Sequence, residues 1–164
     1  MYKRQGSELY GDRRSSDADG VIRPLDGVQR VGGAMAVGDP NGDGHSDIAI
    51  GAPASLDGAP YGGGFLLVEG PILAGLMTVS TENVRLGVVS AGRMGTSLDF
   101  VDLDDVGRVE LAVSSPGADG LEEDAGRVEI FDLTLGLDSD PVVTLLGESE
   151  GCLLYTSDAA DEED

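Results

Sequence analysis

The chain has 164 residues, with 31 acidic against 10 basic side chains and a formal net charge of −21. Such a surface repels nucleic acid and anionic lipid, so neither is an expected partner. Apolar runs fall far short of the roughly 20 residues that span a bilayer, so no membrane insertion is expected either. Hydrophobic content of 40% excludes a wholly disordered chain, and with 26 Gly and no Trp the core must come from Val, Leu, Ile and Ala.

Taken in chain order, short apolar segments separated by Gly, Pro and Asp clusters predict strands near residues 34–37, 48–51, 64–69 and 83–86. A second set lies near 97–101, 110–114, 127–132 and 142–146, and residues 7–10 are a further candidate strand. No segment sustains a helical period; residues 71–78 come nearest and are short. Residues 119–124 form a charged insertion between two strands, read as a solvated loop.

Between the first two strands lies Asp39-Pro40-Asn41-Gly42-Asp43-Gly44-His45-Ser46-Asp47. Acidic or amide side chains fall at positions one, three, five and nine, and Gly44 stands at position six, where a tight turn needs it. Hard cations such as Ca²⁺ take about six to eight oxygen ligands, and this alternation supplies most of them. The other reading of the same residues is a solvated Asx-type turn. An EF-hand is disfavoured. Position twelve is Ile50 rather than Glu, and the flanks Ala34-Met35-Ala36-Val37 and Ile48-Ala49-Ile50-Gly51-Ala52-Pro53 read as strands rather than helices. The same flanks disfavour a dockerin-like pair of loops.

Displaced by 63 positions, the chain meets itself. Arg30 falls on Arg93, Gly32 on Gly95, Asp39 on Asp102, Asn41 on Asp104, Gly44 on Gly107 and Asp47 on Glu110. Further along, Ala49 falls on Ala112, Pro53 on Pro116, Gly63 on Gly126, Phe65 on Val128 and Leu67 on Ile130, with no gap in the aligned stretch. A fixed period of this kind marks units that bury their faces by stacking on one another. Four antiparallel strands per unit is the form of a β-propeller blade, so the expected fold is all-β: an incomplete propeller of about two blades.

The order Arg-x-Gly, strand, Asp-x-Asn-x-Asp-Gly-x-x-Asp, Ile48-Ala49-Ile50-Gly51-Ala52-Pro53, Gly63-Gly64-Phe65-Leu66-Leu67-Val68 resembles an FG-GAP repeat. Such repeats build the propeller of integrin α-subunits and of many bacterial surface proteins. The family's Phe-Gly step stands here as Val31-Gly32 and Met94-Gly95, without the aromatic ring. The resemblance implies a Ca²⁺ site with side-chain ligands from Asp39, Asn41, Asp43 and Asp47 and the backbone carbonyl of His45. It implies a weaker second site at Asp102, Asp104, the Arg108 backbone carbonyl and Glu110. Val106 takes position five of that second loop and cannot ligate, Glu110 is one methylene longer than Asp, and Asp105 is placed to compensate in part. The alternative is a second loop held by turn hydrogen bonds and the Val106 side chain.

No catalytic constellation accompanies the loop. His45 is the single histidine, Cys152 the single cysteine, and no phosphate loop or dinucleotide fingerprint occurs. Carboxylate pairs are abundant in so acidic a chain, which leaves a two-carboxylate hydrolase formally open, but the expectation is no enzyme.

Both ends read as non-native. Met1-Tyr2-Lys3-Arg4-Gln5 can be encoded by GTG TAT AAG AGA CAG, and Cys152-Leu153-Leu154-Tyr155-Thr156-Ser157 by TGT CTC TTA TAC ACA TCT, its reverse complement over most of its length. These resemble the transposon ends of sequencing libraries, so the chain is expected to be a translated environmental DNA fragment. The expected organisation is adapter over 1–5, the tail of a preceding blade and connector over 6–26, and a first blade over 27–89. A second blade with a degenerate cation loop occupies 90–146, then the start of a following blade 147–151 and adapter 152–164.

The expected function is a non-catalytic, Ca²⁺-binding propeller segment of a secreted or cell-surface protein. It would serve adhesion or recognition of a protein or glycan, with the neighbouring blades of the parent chain as its structural partners. The alternative is an accessory propeller of a larger secreted hydrolase or phospholipase.

Overall fold

The computed structural model describes residues 2–3, 20–23, 30–54, 59–71, 75–78, 83–87, 90–103 and 107–149. The strands are β1 (Tyr2–Lys3), β2 (Gly20–Arg23), β3 (Met35–Gly38), β4 (Asp47–Gly51), β5 (Gly64–Val68), β6 (Gly75–Thr78), β7 (Val84–Leu86), β8 (Leu98–Val101), β9 (Glu110–Ser115), β10 (Arg127–Phe131) and β11 (Val143–Leu146). A short 3-10 turn, Leu133–Leu135, follows β10, and no α-helix occurs among the described residues. The chain is all-β.

Two four-stranded antiparallel sheets form in the order β3-β4-β5-β7 and β8-β9-β10-β11. All eight strands fall where the Gly, Pro and Asp punctuation places them, within one residue at most ends. Local chemistry suffices for this, because each turn is bounded by residues that tolerate unusual backbone angles. The backbone repeats with the sequence. Arg30 and Arg93 both have φ 54°, Tyr61 and Asp124 both 53°, Gly44 and Gly107 have 83° and 84°, and Gly63 and Gly126 have 74° and 77°. Gly32 N–H donates to Gly51 O at 3.0 Å, and its counterpart Gly95 N–H donates to Ser114 O at 3.0 Å.

The 63-residue offset fails at the fourth strand. Gly64 pairs with Leu86, whereas its counterpart Arg127 pairs with Leu146, an offset of 60. The connection after β5 is longer because it carries an extra strand. Residues 71–78, the stretch nearest a helical period, contain β6 instead. β6 runs parallel to β2, and β1 pairs with β2 on its other side, giving a third sheet of order β1-β2-β6. β1 lies within the segment read as adapter; residues 7–10 and 152–164 lie outside the described residues.

The first two sheets stack face to face, as successive blades of an unclosed propeller do. Ala36, Ala49 and Phe65 on one face of the first sheet pack with Met94, Leu98, Leu111, Val113 and Phe131. Phe65 and Phe131 meet in a tilted pair with centroids 5.7 Å apart, so the core between the sheets is not built from Val, Leu, Ile and Ala alone as the composition suggested. The opposite face of the first sheet, Ile48, Ile50, Leu66 and Val68, packs with Ala52 and Ile22 of β2. β4 and β5 are therefore buried on both faces.

The lead-in to the second sheet also hydrogen-bonds to the first. Ala91, Arg93 and Met94 N–H groups donate to Pro60, Tyr61 and Gly62 carbonyls at 2.8–3.1 Å, and Gly64 N–H donates back to Met94 O at 2.9 Å. Gly63 makes this approach possible: a Cβ there would stand 2.3 Å from Met94 O.

Candidate metal centre

The candidate loop occupies residues 39–46, between Gly38 and Asp47, which pair across β3 and β4. It is a hairpin loop flanked by strands, not the helix-flanked loop of an EF-hand.

Its polar side chains turn inward onto the loop's own amides. Asp39 accepts from Asp43 N–H at 3.1 Å through Oδ1 and from Gly44 N–H at 2.9 Å through Oδ2. Asn41 Oδ1 accepts from Asp43 N–H at 3.0 Å, and Asp43 Oδ1 accepts from His45 N–H at 2.8 Å. Asn41 Nδ2 donates to Asp43 Oδ2 at 3.3 Å. Gly44, with φ 83° and open space around its α-carbon, supplies the left-handed step that lets Asp39 reach back across the loop. These are Asx-type bonds, as the alternative reading of the loop requires. They do not exhaust the acceptors' capacity: an ionised carboxylate offers about four lone-pair positions, and Asp39 uses two.

Asp47 differs from the others. It is fully buried, while Asn41, Asp43 and His45 are exposed and Asp39 is half-buried. Its Oδ1 accepts from Gly70 N–H at 2.7 Å. Its Oδ2 is buried with no hydrogen-bond partner, a costly state for a carboxylate oxygen. Burial pushes the Asp47 pKa up; the Gly70 hydrogen bond pulls the other way, and the negative charges of Glu69, Asp43 and Asp39 push it up further. Four carboxylates thus share one electrostatic neighbourhood. Among the described residues, no three acidic, histidine or cysteine side chains close around one point. The loop's side chains are mixed, with the Asn41 amide alongside its acids, and Asp47 Oδ2 is left without a partner; oxygen donors of this kind are the type that hard cations take.

Glu69 and Gly70 were not anticipated from sequence. The signal was register: Ile48 opposite Val68 places Glu69 beside Asp47 once the second and third strands are paired.

The second loop keeps part of this geometry. Gly107 N–H donates to Asp102 Oδ2 at 3.3 Å, the counterpart of Gly44 to Asp39. Glu110, at the position of Asp47, instead accepts from Leu103 N–H at 3.2 Å and so turns back on its own loop. Asp104, Asp105 and Val106 lie outside the described residues. Arg108 is exposed.

The repeated backbone, the hairpin loop and the stacked sheets have a counterpart among known families: residues 31–68 match the family model of the FG-GAP repeat. That stretch is an FG-GAP repeat. It runs from the lead-in Val31 through the candidate loop to the end of β5, and so contains every residue of the first candidate site. The chain is also 33% identical over 115 residues to phosphatidylinositol-glycan-specific phospholipase D of Mus musculus, and 32% identical over 117 residues to the protein of that name from Rattus norvegicus. These matches cover 69% and 70% of this chain but only 14% of each relative. Among the described residues no helix is long and apolar enough to cross a membrane.

Proposed function

We propose that this chain is a non-catalytic, Ca²⁺-binding segment of a β-propeller in a secreted or cell-surface protein. The FG-GAP repeat and the stacked sheets support the propeller, and the partnerless Asp47 Oδ2 carries the cation reading. Asp39, Asn41, Asp43 and Asp47 would hold the ion, with the His45 carbonyl as a further ligand. The bound ion supplies positive charge where Asp39, Asp43, Asp47 and Glu69 otherwise repel. Its role is structural: it ties a loop at the sheet margin to the buried end of β4, and extracellular modules of this kind work at ~0.1–1 mM Ca²⁺. The whole propeller would then present its loops to a protein or glycan partner.

Calorimetric titration of the full chain with Ca²⁺ tests this. One binding event lost on Asp43→Ala is the expected result; an absence of binding heat in the folded chain refutes it.

A second context is favoured by the relatives. Both are phospholipases D by name, and the chain matches 14% of their length, which supports an accessory propeller within a larger secreted hydrolase. The full parent gene decides between them: a catalytic domain beside the repeats favours this context, and tandem repeats ending in a surface anchor favour adhesion.

A further inference from the structure

The two loops share an offset, an Asp at position one and the same bond from position six, yet their ninth residues behave differently. Asp47 is drawn inward by an amide 23 residues away, on the turn after β5. Glu110 bonds to Leu103 within its own loop. The difference lies at the clamp. Gly70 has no side chain, and its α-carbon sits so close to the loop that a Cβ would stand 2.8 Å from both His45 Cβ and Ser46 O. At the corresponding position, 63 residues on, stands Leu133. Leu133 begins the 3-10 turn and packs, half-buried, against the core between the sheets. The preceding counterpart of Glu69, Asp132, uses its carboxylate to cap that turn, accepting from Thr134 N–H at 2.9 Å and Thr134 Oγ1–H at 2.6 Å. The second sheet therefore commits to a helical turn the residues that the first sheet lays against its loop.

We propose that Gly70 is a positioning residue of the first-loop cation site, and that its replacement by Leu133, together with Val106 at position five, sets the second loop apart. The Gly70 N–H holds Asp47 Oδ1, which leaves Oδ2 as the buried oxygen free to ligate a metal. The missing side chain of Gly70 lets the second half of the first loop, His45 and Ser46, close down over the turn. This rests on the Ca²⁺ reading of the loop and adds to it a residue outside the nine-residue pattern. The arrangement destabilises the metal-free chain, since an unbonded carboxylate oxygen is left buried. The same arrangement gives the bound state a ligand already oriented by a short hydrogen bond, and preorganisation of this kind is what a rigid second layer of contacts supplies to a metal site.

The test uses the full chain, with Ca²⁺ as the only ligand, and two readouts. Titration calorimetry compares wild type, Gly70→Ala and, as a control at an exposed acid outside both loops, Glu123→Ala. The expected result is one Ca²⁺ site per chain, weakened at least ~10-fold by Gly70→Ala, the range that lost outer contacts produce at metal sites, and held within about twofold by Glu123→Ala. Amide hydrogen exchange on the wild-type chain provides the readout that needs no variant: the Gly70 amide should be protected without the ion and exchange more slowly with it. Equal affinities for wild type and Gly70→Ala, or a Gly70 amide whose exchange ignores Ca²⁺ while the ion binds, overturn the role of Gly70 and leave the cation site standing. A folded wild-type chain that takes up no Ca²⁺ overturns both.

Discussion

Arg85 reaches from the outer strand of the first sheet to lie over the ring of Phe131 in the second, its guanidinium carbon 5.3 Å from the ring centroid. The same guanidinium donates through Nη1 to the Leu137 carbonyl at 2.8 Å and the Ser139 carbonyl at 3.0 Å. One side chain thus bonds the connection between β10 and β11 to the neighbouring sheet. Hydrogen bonds from a charged group contribute about 1.5–3 kcal/mol each and a cation–π contact about 0.5–2 kcal/mol. One nitrogen serves both carbonyls and Arg85 is only half-buried, so these values do not add in full, and Arg85→Ala should lower the denaturation midpoint of the full chain by the equivalent of about 2–4 kcal/mol. Arg85→Lys should recover only part of this, because an ammonium cannot span two carbonyls and stack on a ring at once. Equal stability of the Lys variant and wild type would contradict the bridging role.

Phe65 and Phe131 are both essentially fully buried where the two sheets meet. Phe65→Ala should cost about 3–5 kcal/mol, as large-to-small changes in packed cores do. Phe65 stands at the centre of one sheet and Phe131 at the facing strand of the other. The loss should therefore unfold both sheets in one transition, read as coincident melting of far-ultraviolet circular dichroism and of the Phe131 side-chain signals.

Two glycines with nearly the same φ should respond differently to alanine. At Gly44 the added methyl meets nothing, so the cost is the left-handed backbone alone, about 1–2 kcal/mol. At Gly63 the methyl would strike the Met94 backbone as well, so the chain must give up the Gly64–Met94 and Met94–Gly62 hydrogen bonds or move apart. Chemical denaturation should rank Gly63→Ala well below Gly44→Ala in stability; the reverse order would contradict that close approach.

The pH dependence of the metal-free chain has two opposing parts. The folded pKa of Asp47 is raised, chiefly by burial, so the folded chain keeps that proton to higher pH than the unfolded chain. In chelator, stability should fall as pH rises from the ordinary carboxylate range through the folded pKa of Asp47, and remain reduced above it. Asp47→Asn should flatten this fall and, without Ca²⁺, be at least as stable as wild type at neutral pH. Asp132 behaves oppositely. The Thr134 hydroxyl and amide lower its pKa, so its contribution is present above the ordinary carboxylate range and is lost as pH falls through the lowered value. Asp132→Asn should remove that acid-side loss. Melting temperature against pH for the three proteins measures both slopes.

Much of the fold was legible because its determinants are local. The eight blade strands are bracketed by residues whose steric freedom or restriction sets the backbone regardless of what lies across the sheet. Arg30 and Arg93, or Gly63 and Gly126, reach nearly the same φ because they sit in the same short motif. The hairpin loop over 39–46 was legible on the same ground: alternating oxygen-bearing side chains and Gly44 within a short stretch make a turn whose internal bonds need no distant partner.

The features that the tertiary structure decided lie across long sequence separations. Position nine of each loop looks alike in sequence, a carboxylate in both, but its burial depends on the residues after the third strand. Gly70 meets Asp47 from 23 residues away, and Arg85 finds its carbonyls 52 and 54 residues on. The strand β6 within residues 71–78 belongs to the same class, since its hydrogen bonds run to β2 rather than to neighbours in sequence. A carboxylate's acidity and a backbone's close approach depend on solvent exclusion and on which atoms share a volume. Those are properties of the packed chain, and residue identity alone does not carry them.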